Sequence, residues 1–250
     1  MDPRDKPADD NKKSPLIRLE NQFFACYMMG MKKIDISDIK AVVFDWDNTL
    51  AKSSPPLRFA VNQVLAFYHL PSWDEVKTTR DGNLSFRDNF PIIFKDKADE
   101  AYARYKKIYL KAAPDMIART PYALEVLNFF KKRYIPILLM TNKDRTLLEF
   151  ELPLLFEPEY FDCIVCGHEA KKDKPHGDHL LYTLAHCGLK DKICLENVLV
   201  VGDSPQDSKC ALECGATAVR IGSLFENENP CDNVFYFNSF VDFYQSLLLS

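Results

Sequence analysis

Glycine is scarce, 8 residues in 250, and neither G-x-G-x-x-G nor G-x-x-x-x-G-K-[ST] occurs, which argues against nucleotide binding through a glycine-rich loop. An excess of one charge is also lacking. With 32 basic and 36 acidic residues the formal net charge is −4, so no global basic field favours nucleic acid or an anionic membrane. Apolar runs stay far below the ~20 residues of a membrane span. The stretch Phe23 to Met31 is short, follows a charged arm and is trailed by Lys32-Lys33, so a packed helix or arm is expected there rather than a membrane contact or secretion signal. Met1 to Glu20, polar and proline-containing, reads as a disordered arm. Cysteines Cys26, Cys163, Cys166, Cys187, Cys194, Cys210, Cys214 and Cys231 lack the spacing of a small disulfide framework, and a reduced, cytoplasmic compartment is expected.

What the chain has is a core: 47% of it is hydrophobic, enough for one sizeable domain with a small second one. Its organising stretch is Ala41-Val42-Val43-Phe44-Asp45-Trp46-Asp47-Asn48-Thr49-Leu50. Four strand-forming apolar residues run into two carboxylates spaced two apart, then a hydroxyl. Asp45 and Asp47 would share a face if the strand continued and diverge as the chain turns. Two acids held that close stay ionised together only with a cation or basic side chains between them; otherwise one carries a proton. Either arrangement suits a nucleophilic carboxylate beside a carboxyl that gives and takes a proton.

Further along, Leu57 to Leu70 and Lys97 to Ala113 have helical periodicity, with Pro71 and Pro114 as their expected stops, and 56–114 reads as a helical insert without a confident strand. Strand-like and helical segments then alternate. Strands are expected at Ile135 to Met140, Asp162 to Cys166, Asn197 to Val201, Ala216 to Ile221 and Asn233 to Phe237. Helices are expected at Tyr122 to Arg133, Arg145 to Leu152, Gly177 to Cys187, after Asp207 through Cys214 to Gly215, and near Ser239 to Leu248. This is an α/β pattern implying a doubly wound, mostly parallel sheet whose ligands bind outside the carboxyl ends of its strands. Polar residues stand at three such ends: 45–49, 141–142 and 203–207.

Asp-x-Asp-x-Thr after one strand, Thr141-Asn142 after a second, Lys174-Pro175 before a helix, and Gly202-Asp203-Ser204-Pro205-Gln206-Asp207 after a third resemble the four motifs of the haloacid dehalogenase-like hydrolase superfamily. The resemblance spans roughly 38 to 250 and implies a Rossmann-like core, 35–55 and 115–250, with a small helical cap of the first type at 56–114; 1–34 is left as arm and short apolar segment. It implies Asp45 as nucleophile forming an aspartyl-phosphate, Asp47 as general acid then base, Thr141 and the Asn142 amide as phosphoryl contacts, and Lys174 neutralising charge. It implies Mg²⁺ held by Asp45, the backbone carbonyl of Asp47 and Asp203, with Asp207 a further ligand or a support. Asp47 favours phosphatase or phosphomutase chemistry, since the resembled dehalogenases lack that acid. The implied partner is a small phosphorylated metabolite, with no nucleic acid or membrane and with room for a homodimer.

Each assignment has a plainer rival. Lys171 and Lys172 compete with Lys174, which is favoured because Pro175 would open the next helix; Asp207 suits a helix first turn, and Thr141-Asn142 suits a helix cap. Cys163 and Cys166 with His168, His176 and His179 hint at zinc, but strand alternation would send the two cysteines to opposite faces. Arg58, Arg80 and Arg87 in the insert are candidates for a second anionic group of the substrate, and a non-catalytic binding protein on the same fold is the rival from another class.

Overall fold

Ala41–Phe44 form β1, all four buried, with Val42 and Phe44 facing one layer and Val43 the other. The computed structural model describes residues 34–78, 81, 84–222 and 233–249; the expected arm, the Phe23 to Met31 segment, Arg80, Cys26 and Cys231 lie outside them. Strand β1 is flanked by β4 (Ile137–Met140) and β6 (Val198–Gly202), both parallel to it. With β5 (Cys163–Val165), β7 (Thr217–Ile221) and β8 (Val234–Phe237) they make a six-stranded parallel sheet of order β5-β4-β1-β6-β7-β8. The chain leaves β1 for β4 on one side and reaches β6 on the other, so the sheet reverses direction at β1 and opens a crevice at the carboxyl ends of β1, β4 and β6.

One layer joins Val42, Phe44 and Leu139 to Leu127 and Phe130 of helix α4 (Ala123–Lys131), Leu148 and Leu152 of α5 (Arg145–Leu155), and Phe243 and Leu247 of α8 (Phe240–Leu248). The opposite layer joins Val43, Leu138 and Val200 to Leu180 and Leu184 of α6 (Gly177–His186) and Cys210 and Ala211 of α7 (Pro205–Glu213). Each fully buried large side chain contributes ~1.5–3 kcal/mol by leaving water, so two stocked faces fix the register of the central strand. Cys163 and Cys166 fall in different layers, as alternation requires.

Between β1 and α4 stand α1 (Ser54–Phe67), α2 (Phe90–Phe94) and α3 (Ala98–Met116), with their own core of Val61, Val64, Leu65, Phe90, Phe94, Tyr105 and Tyr109. Three details differ from the sequence expectation. Helix α1 begins at Ser54, taking Pro55 and Pro56 into its first turn, where a missing N–H leaves no bond unmade. Pro114 lies inside α3, which runs on to Met116; only the final turn lacks a donor. Two short strands, β2 (Ala51–Lys52) and β3 (Ala118–Arg119), pair antiparallel where the chain leaves the sheet domain for the helices and returns. Two-residue strands carry no readable period.

Candidate active site

The carboxyl end of β1 is shaped by a tight return. Trp46 carbonyl accepts from Thr49 N–H (3.2 Å) and Ala51 N–H (3.0 Å), with Asn48 at φ 58°, a left-handed conformation that Asn tolerates. The turn swings the two acids apart. Asp45 Oδ1 accepts from Lys174 Nζ at 2.6 Å and Oδ2 from Thr49 Oγ1 at 3.0 Å, whereas Asp47 Oδ1 accepts from Lys143 Nζ at 2.6 Å.

Lys174 is the hub. Its buried ammonium also donates to Asp207 Oδ1 at 2.6 Å and to the Met140 carbonyl at 2.9 Å. Its backbone is clamped by Asn142, whose Nδ2 donates to the Lys174 carbonyl (2.8 Å) and whose Oδ1 accepts from Lys174 N–H (3.1 Å). His179 Nδ1 also accepts from that N–H at 3.2 Å; burial and the lysine charge pull His179 down to about 4, which keeps the ring neutral. The peptide bond from Lys174 to Pro175 is cis and α6 starts at Gly177, so Pro175 does not open the helix as expected. Asn142 and His179 fix the lysine instead. The cap of α5 is likewise neither Thr141 nor Asn142: Asp144 Oδ1 accepts from Thr146 N–H at 2.9 Å, which leaves the Thr-Asn pair facing the crevice.

At the end of β6, Ser204 N–H and Oγ both donate to Asp207 Oδ2, at 3.0 and 2.6 Å, so Asp207 is at once a first-turn acid and a partner of Lys174. Gly202 is required beneath it: a Cβ there would lie 2.2 Å from Asp207 Cγ. Carboxylate oxygens of Asp45, Asp203 and Asp207 lie within 4.8 Å of one another. Burial pushes Asp45 up to about 7, partly countered by Lys174 and reinforced by Asp207 and Asp47; burial, then Asp45 and Asp207, raise Asp203 well above the carboxylate range. For Lys174, burial pulls downward but Asp207 and Asp45 outweigh it and hold it protonated. Three acids against one ammonium leave an excess of negative charge, and their hard oxygen donors fit a divalent cation.

A second buried network was missed in the sequence. Lys143 Nζ bridges Asp47 and Glu151 Oε1 (2.8 Å) and lies 3.4 Å from Tyr109 Oη of α3, while Trp46 Nε1 donates to Glu151 Oε2 at 2.6 Å. The available signal was Glu151 itself, a charge on the apolar stripe Leu147, Leu148, Leu152, Leu155 of α5. The cysteine-histidine group hinted at zinc does not assemble: Cys163 and Cys166 point into separate cores, and His168 sits with Asp88 and Asp173, two acids already paired to Arg87.

Above the crevice, the helical insert closes a cavity of about 270 Å³ into which Asp45, Asp47, Thr141, Asn142, Lys174 and Asp203 all open. Arg87 Nη2 donates to Asp173 Oδ2 at 2.8 Å, Gln206 Nε2 to the Leu84 carbonyl at 3.2 Å, and Leu147 of α5 packs into the insert's core. Arg58 stays outside, paired with Asp74.

The sequence profile of the haloacid dehalogenase-like hydrolase family matches residues 42–221. The chain belongs to that family. Its helical cap follows the first strand of a Rossmann-like parallel core, and the acid cluster at the strand ends is that of a catalytic hydrolase. Among curated relatives, a phosphoglycolate phosphatase of Shigella boydii serotype 4 (strain Sb227) is 26% identical over 209 residues, covering 74% of this chain and 81% of the relative. Among solved structures, a predicted phosphoglycolate phosphatase from Haemophilus somnus 129PT superposes with TM-score 0.69 at 19% identity, over 84% of this chain and 99% of that one. CbbY from Rhodobacter sphaeroides, in complex with xylulose-(1,5)bisphosphate, gives 0.65 at 18%, over 81% and 95%. At those identities the structural likeness speaks for the fold alone. No helix among the described residues is long and apolar enough to cross a membrane.

Proposed function

We propose that this hydrolase is a cytosolic, Mg²⁺-dependent phosphatase that cleaves a small phosphate monoester through an aspartyl-phosphate on Asp45. In this reading 35–55 and 115–250 form the catalytic body and 56–114 the cap. The observation that carries it is the buried Asp45–Lys174–Asp207 bridge, 2.6 Å on each side, at the floor of a cavity that also admits Asp47. The six described cysteines, all free, suit a reducing compartment.

A phosphate dianion repels an attacking carboxylate, so the meeting point needs positive charge. Lys174 supplies one unit, fixed in place by Asn142 and Asp207. Asp45 and Asp203, with the Asp47 backbone carbonyl, would hold magnesium, and Asp207 would support the site by anchoring Lys174. When bound, the ion polarises phosphoryl oxygens and cancels repulsion between the two anions. Thr141 and the Asn142 amide receive phosphoryl oxygens. Asp45 attacks phosphorus in line as the ester P–O bond breaks, and Asp47 gives its proton to the departing alkoxide. Water then enters on the side the alcohol has left. Asp47 takes a proton from it as its oxygen bonds to phosphorus and the Asp45–phosphoryl bond breaks, so phosphate departs and Asp45 is regenerated. Because leaving group and water use the same face, one acid/base residue serves both steps, with Lys143 and Glu151 holding it in place. Closing over the bound ester, the cap would keep bulk water out.

The test is phosphate release from sugar, nucleotide and organic acid phosphates with and without Mg²⁺. Release that needs the ion and falls by about 10²–10⁴ in Asp47→Asn supports the reading. Absence of release from every ester, or transfer to a second acceptor without release, sinks it.

A further inference from the structure

Resting on that reading, we infer that the alcohol released is uncharged and presents an apolar or ring face, so the substrate carries no anionic group besides the phosphoryl group itself. The cavity, about 270 Å³, lies just under the ~300 Å³ lower end of small-molecule sites, which limits the leaving group to a small one. Its two ends differ. The floor carries Asp45, Asp203, Thr141, Asn142 and Lys174; the roof is Leu57, Leu84, Phe86, Tyr102, Tyr105 and Leu147. Tyr102 and Tyr105 lie nearly parallel, with ring centres 5.8 Å apart and planes 22° from one another, and Phe86 adds a ring 4.9 Å from Tyr105.

A second anion would need a cation at that roof. Among the described residues three cations line the cavity, and each is already held by two acids of the protein. Lys174 sits between Asp45 and Asp207, Lys143 between Asp47 and Glu151, and Arg87 between Asp88 and Asp173. Arg87, the most exposed of the three, is itself held: its side chain and that of Asp173 are 13% and 11% exposed, and its Nη1 occupies space beside Gly167, where a Cβ would fall 2.7 Å from it. Drawing Arg87 or Lys143 toward a substrate carboxylate would leave a half-buried or buried protein carboxylate uncompensated. Asp144 lines the same space and offers a second anion no attraction. An uncharged ring or branched carbon skeleton meets none of these penalties and covers the aromatic roof.

The experiment compares benzyl phosphate with 2-phosphoglycolate and a sugar bisphosphate in two readouts. One is Mg²⁺-supported turnover by the wild-type chain; the other is calorimetric binding to Asp45→Asn, which reports preference whether or not any ester is hydrolysed. The expected result is a preference for benzyl phosphate of at least about tenfold in kcat/KM and in affinity, the range open to a pocket that would strand a buried group with the wrong ligand. Tyr102→Ala should weaken benzyl phosphate binding and raise its KM several-fold more than the KM for methyl phosphate, whose leaving group has no ring to cover the roof. Equal or tighter binding of 2-phosphoglycolate or the bisphosphate overturns the inference. Turnover of none of the three, with the binding preference intact, instead removes the phosphatase reading and leaves the pocket assignment standing.

Discussion

Lys143 shows how one side chain ties Asp47, the proposed acid/base residue, to the core. It is buried between Asp47 and Glu151, and Glu151 is wholly inaccessible to solvent. Burial pulls the ammonium down, but Asp47 and Glu151 more than restore it, so the lysine stays charged. Removing one partner of such a network strands the other: Lys143→Met should cost about 3–5 kcal/mol of unfolding free energy in urea titration. The double variant Lys143→Met/Glu151→Leu should recover a large part of that loss. If the single change is nearly neutral, the network carries no structural weight.

Asp45 makes a pH prediction of definite sign. Its folded value of about 7 lies above the ordinary 3.8, so between them the folded chain holds a proton that the unfolded chain has released. The stability that goes with this proton is complete below 3.8 and lost as pH rises through about 7. In the proposed reading a divalent cation would replace the proton. Thermal melts should therefore show an Mg²⁺-induced rise in Tm that grows from pH 5 to pH 8; a rise independent of pH would place the ion elsewhere.

At the scale of elements, the β6–α7 junction decides the geometry of Lys174. Gly202→Ala would set a Cβ against the Asp207 carboxyl, and the displaced acid would release the lysine. Activity should fall by at least tenfold with the sheet intact by circular dichroism; unchanged activity would mean the junction is slack. That Asp45, Thr141, Lys174 and Asp203 gather at one crevice of a mostly parallel sheet was legible because each element is local: an apolar run, a stop, then polar residues. What stayed hidden depends on distant parts of the chain. The β2–β3 ribbon is too short to have a period, and Lys143 follows Thr141-Asn142 like an ordinary loop charge until α5 brings Glu151 to it. The Asn142 side chain also clamps the Lys174 backbone and reaches Gln206, a role only the folded crevice creates.

For the whole molecule, the issue is how the helical cap stays seated. Among the described residues the contacts that hold it include Arg87 to Asp173, Gln206 to the Leu84 carbonyl, Lys106 to Asp144 at 3.5 Å, and Tyr109 beside Lys143. The β2–β3 ribbon sits where both connections cross. Arg87→Gln should loosen the cap, seen as faster amide exchange in α2 and α3 with exchange in β1, β4 and β6 unaltered. Exchange unchanged in the cap would mean that packing around Leu147, rather than the ion pair, holds it down.

The central claim is that Asp45 becomes covalently phosphorylated. Asp47→Asn should still take phosphate from an activated ester whose leaving group needs no proton, yet release it slowly, so acid quench and peptide mapping should find the phosphoryl group on Asp45 in that variant and none in Asp45→Asn. Phosphate release that persists in Asp45→Asn, or a quenched enzyme with no phosphoryl group on Asp45 during turnover, would contradict the account.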